Sequence, residues 1–592
     1  MSKTLDLDKM IHPDQLACKI AEQFLEWDSA RQVWINEKAE IQKYVYATDT
    51  TKTSNSKLPW SNKTTIPKLC QIRDNLFSNY MASMFPKRKW LQYEANDPAS
   101  NDAQKVKNIE AYMAWVIDRP EFYNEISKCV LDYIDYGNAI ATVDWVDERS
   151  ADATGREQVG YVGPVLRRIN PVDVVLNPTA PNFVSSPKII RSIVSIGEIK
   201  EMLARLSTDE HEKEDAQQLY NYMKEIRSYA HQHPNDFQVK DELYQISGFD
   251  TFAHYLQTNN VEVLTFYGDI YDEEKDEFAR NQVIKVVDRH KVLSRRTNPS
   301  IFGHAPIYHV GWRIKPDNVW AMGPLDNLVG MQYRIDHLEN MKADVFDLIA
   351  YPPLKVKGYV DQFEWGPFEH IYVGDSGDVE MMAPAVQALA ADNQIAILEA
   401  KMEEMAGSPK EAMGFRTPGE KTAYEVQSLE NAASRIFQNK IGQFERDFLE
   451  QNLNAMLELA SRNIDKTSVR VFDQEFKIAL FTDMTAEDIT GNGRIKPVAA
   501  RHFAEKAQQV QNLNAFFGSS VGADPQVKVH FSTVELARLY EDLLDLEPWH
   551  IVEPYIRISE MKEAQMMQNS AQEQVAMETT TPSGLTPDDF DQ

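Results

Sequence analysis

Cysteine is almost missing: the 592 residues include three, Cys18, Cys70 and Cys129, far apart and odd in number. No Cys-x-x-Cys pair or mixed Cys/His cluster occurs, which excludes a disulfide framework and a structural zinc site. A reducing cytoplasm is the expected place of synthesis. Long apolar runs are missing too. Without a stretch of about 20 apolar residues no membrane-spanning helix is expected. The first residues carry Lys3, Asp6, Asp8 and Lys9 where a secretory leader would have its apolar core, so the Asn62-Lys63-Thr64 sequon is read as chance. Positive charge is in deficit, with 62 Lys+Arg against 90 Asp+Glu and a formal net charge of −28. A general duplex-DNA binder neutralises phosphates with a Lys/Arg excess, so this balance excludes tight holding of DNA; a wall past which DNA moves stays open.

Catalytic signatures are equally scarce. There is no G-x-S-x-G elbow and no H-E-x-x-H, since His211-Glu212 is followed by Asp215 where the second ligand should stand. His231 and His233 lie in a polar stretch and are read as solvated. Gly414 to Thr422 comes near the phosphate-cradling G-x-x-x-x-G-K-[ST] loop. Glu420 separates Gly419 from Lys421, Pro418 removes an N–H and a helix leads in where a strand is needed, so nucleotide binding is not expected. The run Asp272–Glu277 is a crude calcium loop without its glycine or terminal bidentate Glu, and a hairpin tip is the better reading. Asp336, Asp344 and Asp347 are expected on a solvated or inter-subunit face. No catalytic residue, metal or cofactor is assigned.

What is present describes a globular chain. Hydrophobic residues make up 43% and charged ones 26%, and the length allows roughly three to five structural units. Periodicity predicts a long amphipathic helix from 13 to 46. A helix behind Pro67 follows, with Leu69, Ile72, Leu76 and Tyr80 on one face, then helices at 103–117 and 122–136. Gly137 ends the last, and a strand follows over 139–145. Between 140 and 320 the chain reads as mixed. Strands are expected at 161–162, 165–169 and 172–176, a charged helix at 196–223, and a group of strands at 261–270, 283–287 and 291–294.

Pro324 is expected to open a helix of about 40 Å striped by Leu328, Met331, Ile335, Leu338, Met341, Val345 and Leu348, which Pro352-Pro353 ends. A short insert over 354–384 carries strand-forming 359–360 and 371–373 with Phe363, Trp365 and Phe368. A second helix starts near Asp392 with Ile395, Leu398, Met402 and Met405. After the Gly/Pro-broken loop 408–421, Thr422 and Glu425 form a capping box at the head of a helix of about 60 Å, with Gly442 as a possible bend. Short strands at 469–472 and 476–480 and helices near 498–517, 533–546 and 552–574 follow. The Thr/Pro/Asp-rich tail 578–592 is expected to be disordered. The fold class is α+β, predominantly helical, with long central helices.

A helix–insert–helix–loop–helix plan, with Lys410, Arg416 and Lys421 in or beside the loop of an otherwise acidic chain, is the unusual feature. Short stretches in a particular order accompany it: Ile66-Pro67-Lys68-Leu69 with Trp90 and Tyr93, Asp135 to Ile140, Ile169 to Asp173, Gly323-Pro324-Leu325-Asp326 with Gln332, His337 and Asn340, and Thr422 to Val426. Over roughly residues 20–520 the sequence resembles the portal (head-to-tail connector) proteins of tailed bacteriophages, especially short-tailed, podovirus-like ones.

The resemblance implies a homo-oligomeric ring, commonly of twelve, at one capsid vertex of the virion. Its implied partners are the major capsid protein, the terminase packaging motor, a tail adaptor and the double-stranded DNA passing through; no membrane is involved. Residues 1–322 with 422–500 would form the wing, which includes the long helix 422–463. Residues 323–352 and 390–407 would be the stem, 353–389 the clip, 408–421 the tunnel loop and 501–577 the crown. Lys410, Arg416 and Lys421 would face the DNA, while Leu338 and Met341 would pack on the helix of Leu398 and Met402 or on a neighbouring subunit. Two other readings are a virion structural protein without a channel and a nucleotide hydrolase using the 414–422 loop.

Overall fold

The structure, a computed structural model, describes residues 15–46, 62, 64–85, 90–151, 157–177, 180, 182–195, 197–198, 214, 217–218, 220–221, 260–272, 277–287, 289, 291–298, 303–358, 372–375, 377–382, 390–406, 437, 439–464, 467–473, 478–497, 509–510, 512–517 and 533–543. It divides into two units, residues 1–471 with 481–501 and residues 472–480 with 502–592.

The expected N-terminal helix is two helices, α1 (Gln15–Ala30) and α2 (Gln32–Val45). They part at Arg31, whose buried guanidinium donates to the main-chain oxygens of Pro171, Val172 and Val174 at 3.2, 2.5 and 2.7 Å and to Asp28 at 2.7 Å. A side chain committed to another element in this way outweighs the modest propensity that would have carried the helix through. Helix α3 (Lys68–Met84) buries Leu69, Ile72, Leu76 and Tyr80, as their spacing predicts. The strand β1 (Leu91–Ala95) follows, and α4 (Ala103–Ile117) starts where Asp102 accepts from Gln104 N at 3.2 Å. Helix α5 (Pro120–Asp135) has proline at its first position and stops before Gly137, whose φ of +71° a residue with a Cβ adopts at a cost.

Strands β2 (Asn138–Ala151) and β3 (Glu157–Ile169) form an antiparallel pair. Then come β4 (Val174–Leu176), β5 (Lys188–Ser195), β6 (Asn260–Asp272), β7 (Glu277–Val287), β8 (Lys291–Thr297), β9 (Ile307–Gly311), β10 (Arg313–Lys315) and β11 (Asn318–Met322). The larger sheet runs β4-β5-β6-β7-β8, and a second runs β3-β2-β9. Alternate residues Leu264, Phe266, Ile284 and Val286 of the larger sheet pack on Ala17, Ile20 and Phe24 of α1, the period-2 face of strands meeting the period-3.6 stripe of a helix. β6 and β7 stay paired out to Asp272↔Glu277, the first and last residues of the acidic run. Residues 273–276 lie outside the described ones, and among the described residues no three metal-ligating side chains gather.

Helix α6 (Val329–Ala350) starts five residues after Pro324 and has 22 residues, shorter than expected. Gly323 N–H bonds Asp326 Oδ2 at 3.0 Å and Leu328 N–H bonds Leu325 O at 2.9 Å, so 324–328 is a turn that plugs Leu325 and Leu328 into the core. The insert begins and ends in an antiparallel ribbon, β12 (Leu354–Lys357) with β13 (Asp378–Met381). The expected strand 359–360 and the aromatic residues Phe363, Trp365 and Phe368 lie outside the described residues. Helix α7 (Asp392–Ala406) begins at the expected residue.

Residues 439–444 are helical, continue through a π turn at Glu445–Leu449 and lead into α8 (Glu450–Asn463). The apolar stripe explains the π turn. Ile441, Phe444 and Phe448 are spaced three and four apart, but Leu453 follows Phe448 by five, and all four are buried. An α-helix would swing Leu453 off the face; one widened turn restores its phase. Asn452 Nδ2 donates to Phe448 O at 2.8 Å within this distortion, which lies three residues beyond the bend expected at Gly442.

β14 (Thr467–Asp473) and β15 (Ile478–Met484) pair, α9 (Ala486–Ile489) opens with a capping box at Thr485 and Asp488, and β16 (Gly493–Pro497) returns antiparallel to β1. In the second unit α10 (Thr533–Leu543) is tied by Tyr540 OH to Asn514 Oδ1 at 2.8 Å. Six sheets among the described residues make the chain mixed α+β rather than clearly helical. Most of the helix expected at 196–223, the loop 408–421, the helix head 422–436, part of 498–517, the helix 552–574 and the tail 578–592 lie outside the described residues.

No helix among the described residues is long and apolar enough to cross a membrane.

Candidate functional site

The helix pair α6 and α7 is where the sequence concentrates its candidates. Leu338 of α6 and Met402 of α7 are buried at 3% and 0% exposure in one apolar cluster with Ile395, and Leu398 packs against it partly buried. Met341 stays 39% exposed. Polar bonds fasten the pair as well. Lys342 of α6 bonds Asp392 in the first turn of α7, and Lys68 at the start of α3 forms a 2.7 Å ion pair with Glu403, both only 6% exposed. A buried pair of this kind offsets its own desolvation only if its hydrogen bonds are complete, and Lys68 also bonds Gln71 at 3.0 Å.

Along α6 runs a second, polar stripe. Gln332, Asp336, Asn340 and Asp344 stand four residues apart, and Asn62, Thr64 to Pro67 and then the first turn of α3 at Leu69 run antiparallel along them. Asp344 Oδ1 accepts from Asn62 N at 2.7 Å. Asn340 accepts from Thr64 N at 2.7 Å and donates to Thr64 O at 2.9 Å. Asp336 Oδ1 accepts from Ile66 N at 3.1 Å, and Gln332 donates to Ile66 O and accepts from Leu69 N at 3.2 Å. Asn62 Nδ2 also donates to Asp344 and Asp347 at 2.9 and 2.7 Å. The solvated face expected for these acids is therefore corrected for Asp336, which is 1% exposed, whereas Asp344 is half-buried and Asp347 stays exposed, both bonded to Asn62. Burial also pushes the Asp336 carboxyl above the usual range. The sequence signal was the run of polar side chains at i+4 on a helix whose other face is apolar.

The base of α6 is as specific. A Cβ on Gly137 would stand 2.3 Å from Gly323 N, so the α5–β2 turn and the β11–α6 turn touch main chain to main chain. Asn138 Nδ2 donates to Ala321 O at 3.0 Å and Tyr136 O at 2.9 Å, while its Oδ1 accepts from Ala321 N at 3.0 Å. His309 Nε2 lies 2.9 Å from that same oxygen, so the neutral ring carries its proton on Nε2 and donates. Asp326 pairs with Lys38 of α2. Close by, Arg73 grips Asp135 through two bonds of 2.8 and 3.0 Å, and Arg168 bonds Asp132 at 2.7 Å. Asn170 caps its own turn, whose carbonyls Arg31 holds. Of the short stretches singled out in the sequence, Ile66 to Leu69, Asp135 to Ile140, Ile169 to Asp173 and Gly323 to Asp326 thus meet around the root of α6, where they hold backbone and bury charge, while Thr422 to Val426 lie outside the described residues.

Burial, and next to it the charge of Lys188, pushes His309 down to about 3. Burial also pushes Lys188 down to about 8, its Nζ donating to Phe183 O and Val184 O at 2.8 and 3.2 Å. The unfolded His309 takes a proton below pH 6.5 that the folded ring refuses. Its contribution to stability is therefore whole above pH 6.5 and is lost as the pH falls towards 3. At pH 5 the expected loss is about 2 kcal/mol. Denaturation midpoints at pH 7 and pH 5 should separate more for the natural chain than for His309→Gln; equal pH slopes would show that the ring does not stay neutral.

Lys410, Arg416 and Lys421 lie outside the described residues. Compared with known protein families and with characterised proteins, the sequence matches none.

Proposed function

We propose that this chain is the subunit of a portal ring, a channel at one capsid vertex through which double-stranded DNA is packaged and later ejected. In this reading α6 and α7 are the stem, the β12–β13 insert belongs to the clip, and residues 1–322 with 422–500 form the wing. Residues 501–577 form the crown. The major capsid protein surrounds the ring, the terminase motor and then a tail adaptor dock at the clip, and no cofactor or catalytic group is involved.

The observation that carries the proposal is where apolar surface is left uncovered. Most large apolar side chains exposed among the described residues fall between Tyr333 and Met405, including Phe346 at 53%, Tyr351 at 64%, Tyr372 at 72% and Met381 at 60%. Scattered apolar residues need no explanation, but a concentration on one helix–ribbon–helix element marks an interaction surface. The ribbon adds to this. Val356 and Met381 are exposed on one of its faces while Lys355 pairs with Glu380 at 3.3 Å on the other, and a lone two-stranded ribbon is marginal in water. Head-to-tail contact between copies, closed by rotation, covers such a surface and makes a ring.

Charge supports the same reading. Twelve copies at −28 would carry about −336, a field that keeps DNA from adhering to the wall. Lys410, Arg416 and Lys421 would supply brief phosphate contacts without base readout. Particle images of the purified chain at micromolar concentration should show rings with an axial hole. Monomers throughout, or closed particles without a hole, would sink the proposal, the latter in favour of a virion component without a channel. ATP turnover by the chain alone would favour the hydrolase reading.

A further inference from the structure

We infer that residues 62–69 are a strap that sets the rotation and height of α6, making Gln332, Asp336, Asn340 and Asp344 positioning residues for the apolar surface on the rest of that helix. The last step rests on the assembly reading; the strap itself does not.

The geometry is commensurate. Two residues of extended chain advance about 6.6 Å and four residues of α-helix about 6.0 Å. Asn62, Thr64 and Ile66 therefore fall opposite Asp344, Asn340 and Asp336 with a mismatch that short side chains absorb. Where the strap departs into α3, the longer Gln332 reaches both Ile66 O and Leu69 N. Leu69 N–H is one of the first-turn donors of α3 that a helix leaves unpaired, and Pro67 at the cap position offers no side-chain bond. Gln332 thus caps α3 from another helix. Helix α6 is held on this side by directed bonds at fixed intervals rather than by apolar contact, which would tolerate rotation. Charge alone is not the principle, because two of the four side chains are amides that bond the same backbone groups. Rotation matters because Tyr333, Met341, Phe346 and Ile349, all about 40% exposed or more, share the helix.

Hydrogen exchange on the full chain tests the strap, with Asp336→Leu removing the acceptor and Asp336→Asn keeping an oxygen for Ile66 N–H. In the Leu variant amides of 62–69 and of the first half of α6 should exchange about tenfold faster, with α4 and α5 unchanged and the Asn variant close to the natural chain. Unaltered exchange at 62–69 in the Leu variant overturns the strap; so does a defect in the Asn variant equal to that of Leu, which would make the carboxylate charge the cause. If Asp336→Leu unfolds globally, Asp344→Ala removes the outermost rung and should free only 62–65; protection retained there again overturns it. The positioning step is read separately from particle mass. Association should weaken in Asp336→Leu and persist in Asp336→Asn, and full association of a Leu variant with a loosened strap overturns that step. If the natural chain itself never associates, the assembly reading and the positioning step fail together while the exchange result still decides the strap.

Discussion

Gly137→Val should yield no soluble folded chain, and Gly137→Ala a much weakened one. Two costs add at this position. A φ of +71° lies where a residue with a Cβ is penalised, and the Cβ itself would meet Gly323 N at 2.3 Å and Met322 C at 2.5 Å. Both neighbours are main chain pinned by other bonds, Asn138 to Ala321 on one side and Asp326 to Gly323 N on the other, so nothing nearby can yield cheaply. The conformational term is about 1–2 kcal/mol and overpacking typically another 1–3. Gly303 separates the two. Its φ is +69°, yet a Cβ there meets nothing within 4 Å, so Gly303→Ala should cost only about 1 kcal/mol. Denaturation midpoints of the two alanine variants measure the difference directly. Equal losses would mean that the contact with Gly323 gives way.

Leu338→Asp should detach α6 from the core. Leu338 is 3% exposed among Ile335, Ile395 and Met402. Losing its burial costs about 3–5 kcal/mol, and placing a carboxylate there adds a desolvation penalty, since Lys342, a turn away, is already engaged by Glu339 and Asp392. Met341→Asp is the informative contrast, three residues along the same helix but 39% exposed. It should leave the denaturation midpoint of the isolated chain almost unchanged while abolishing rings in the assembly reading. A Leu338→Asp chain that keeps both its stability and its particle mass would show that the α6–α7 cluster holds nothing. A Met341→Asp chain that forms normal rings would remove Met341 from the proposed interface.

Helices declared themselves in the sequence wherever an apolar stripe met a terminator. Helices α4 and α5 start and stop within two residues of expectation, and α3 and α7 start where Pro67 and Asp392 predict, because proline, Gly137 and an acidic first turn act locally on φ, on missing donors and on the helix end. Short strands were harder. β1 was not anticipated, since five residues carry little periodicity and its partner β16 lies some four hundred positions away. The break at Arg31 was missed for a related reason: carbonyls at 171, 172 and 174, not the neighbours of Arg31, decide it. The π turn at 445–449 was half visible, as a five-residue gap in an otherwise regular stripe.

The candidate site divides in the same way. Composition and local periodicity determined that the chain is acidic, without a cysteine framework and without an apolar span, and that two amphipathic helices flank a short insert. Each of these is a sum or a local period, which a linear text preserves. Tertiary structure alone decided what the polar side chains of α6 do. Asp336 and Asp344 read as part of a solvated or inter-subunit face because a carboxylate looks the same whether it meets water or a peptide N–H, and its partner, the backbone that runs into α3, has no signature in residue identity. The strap lies some 270 positions from its helix, and only the packing of α3, α6 and α7 brings the two within hydrogen-bond distance.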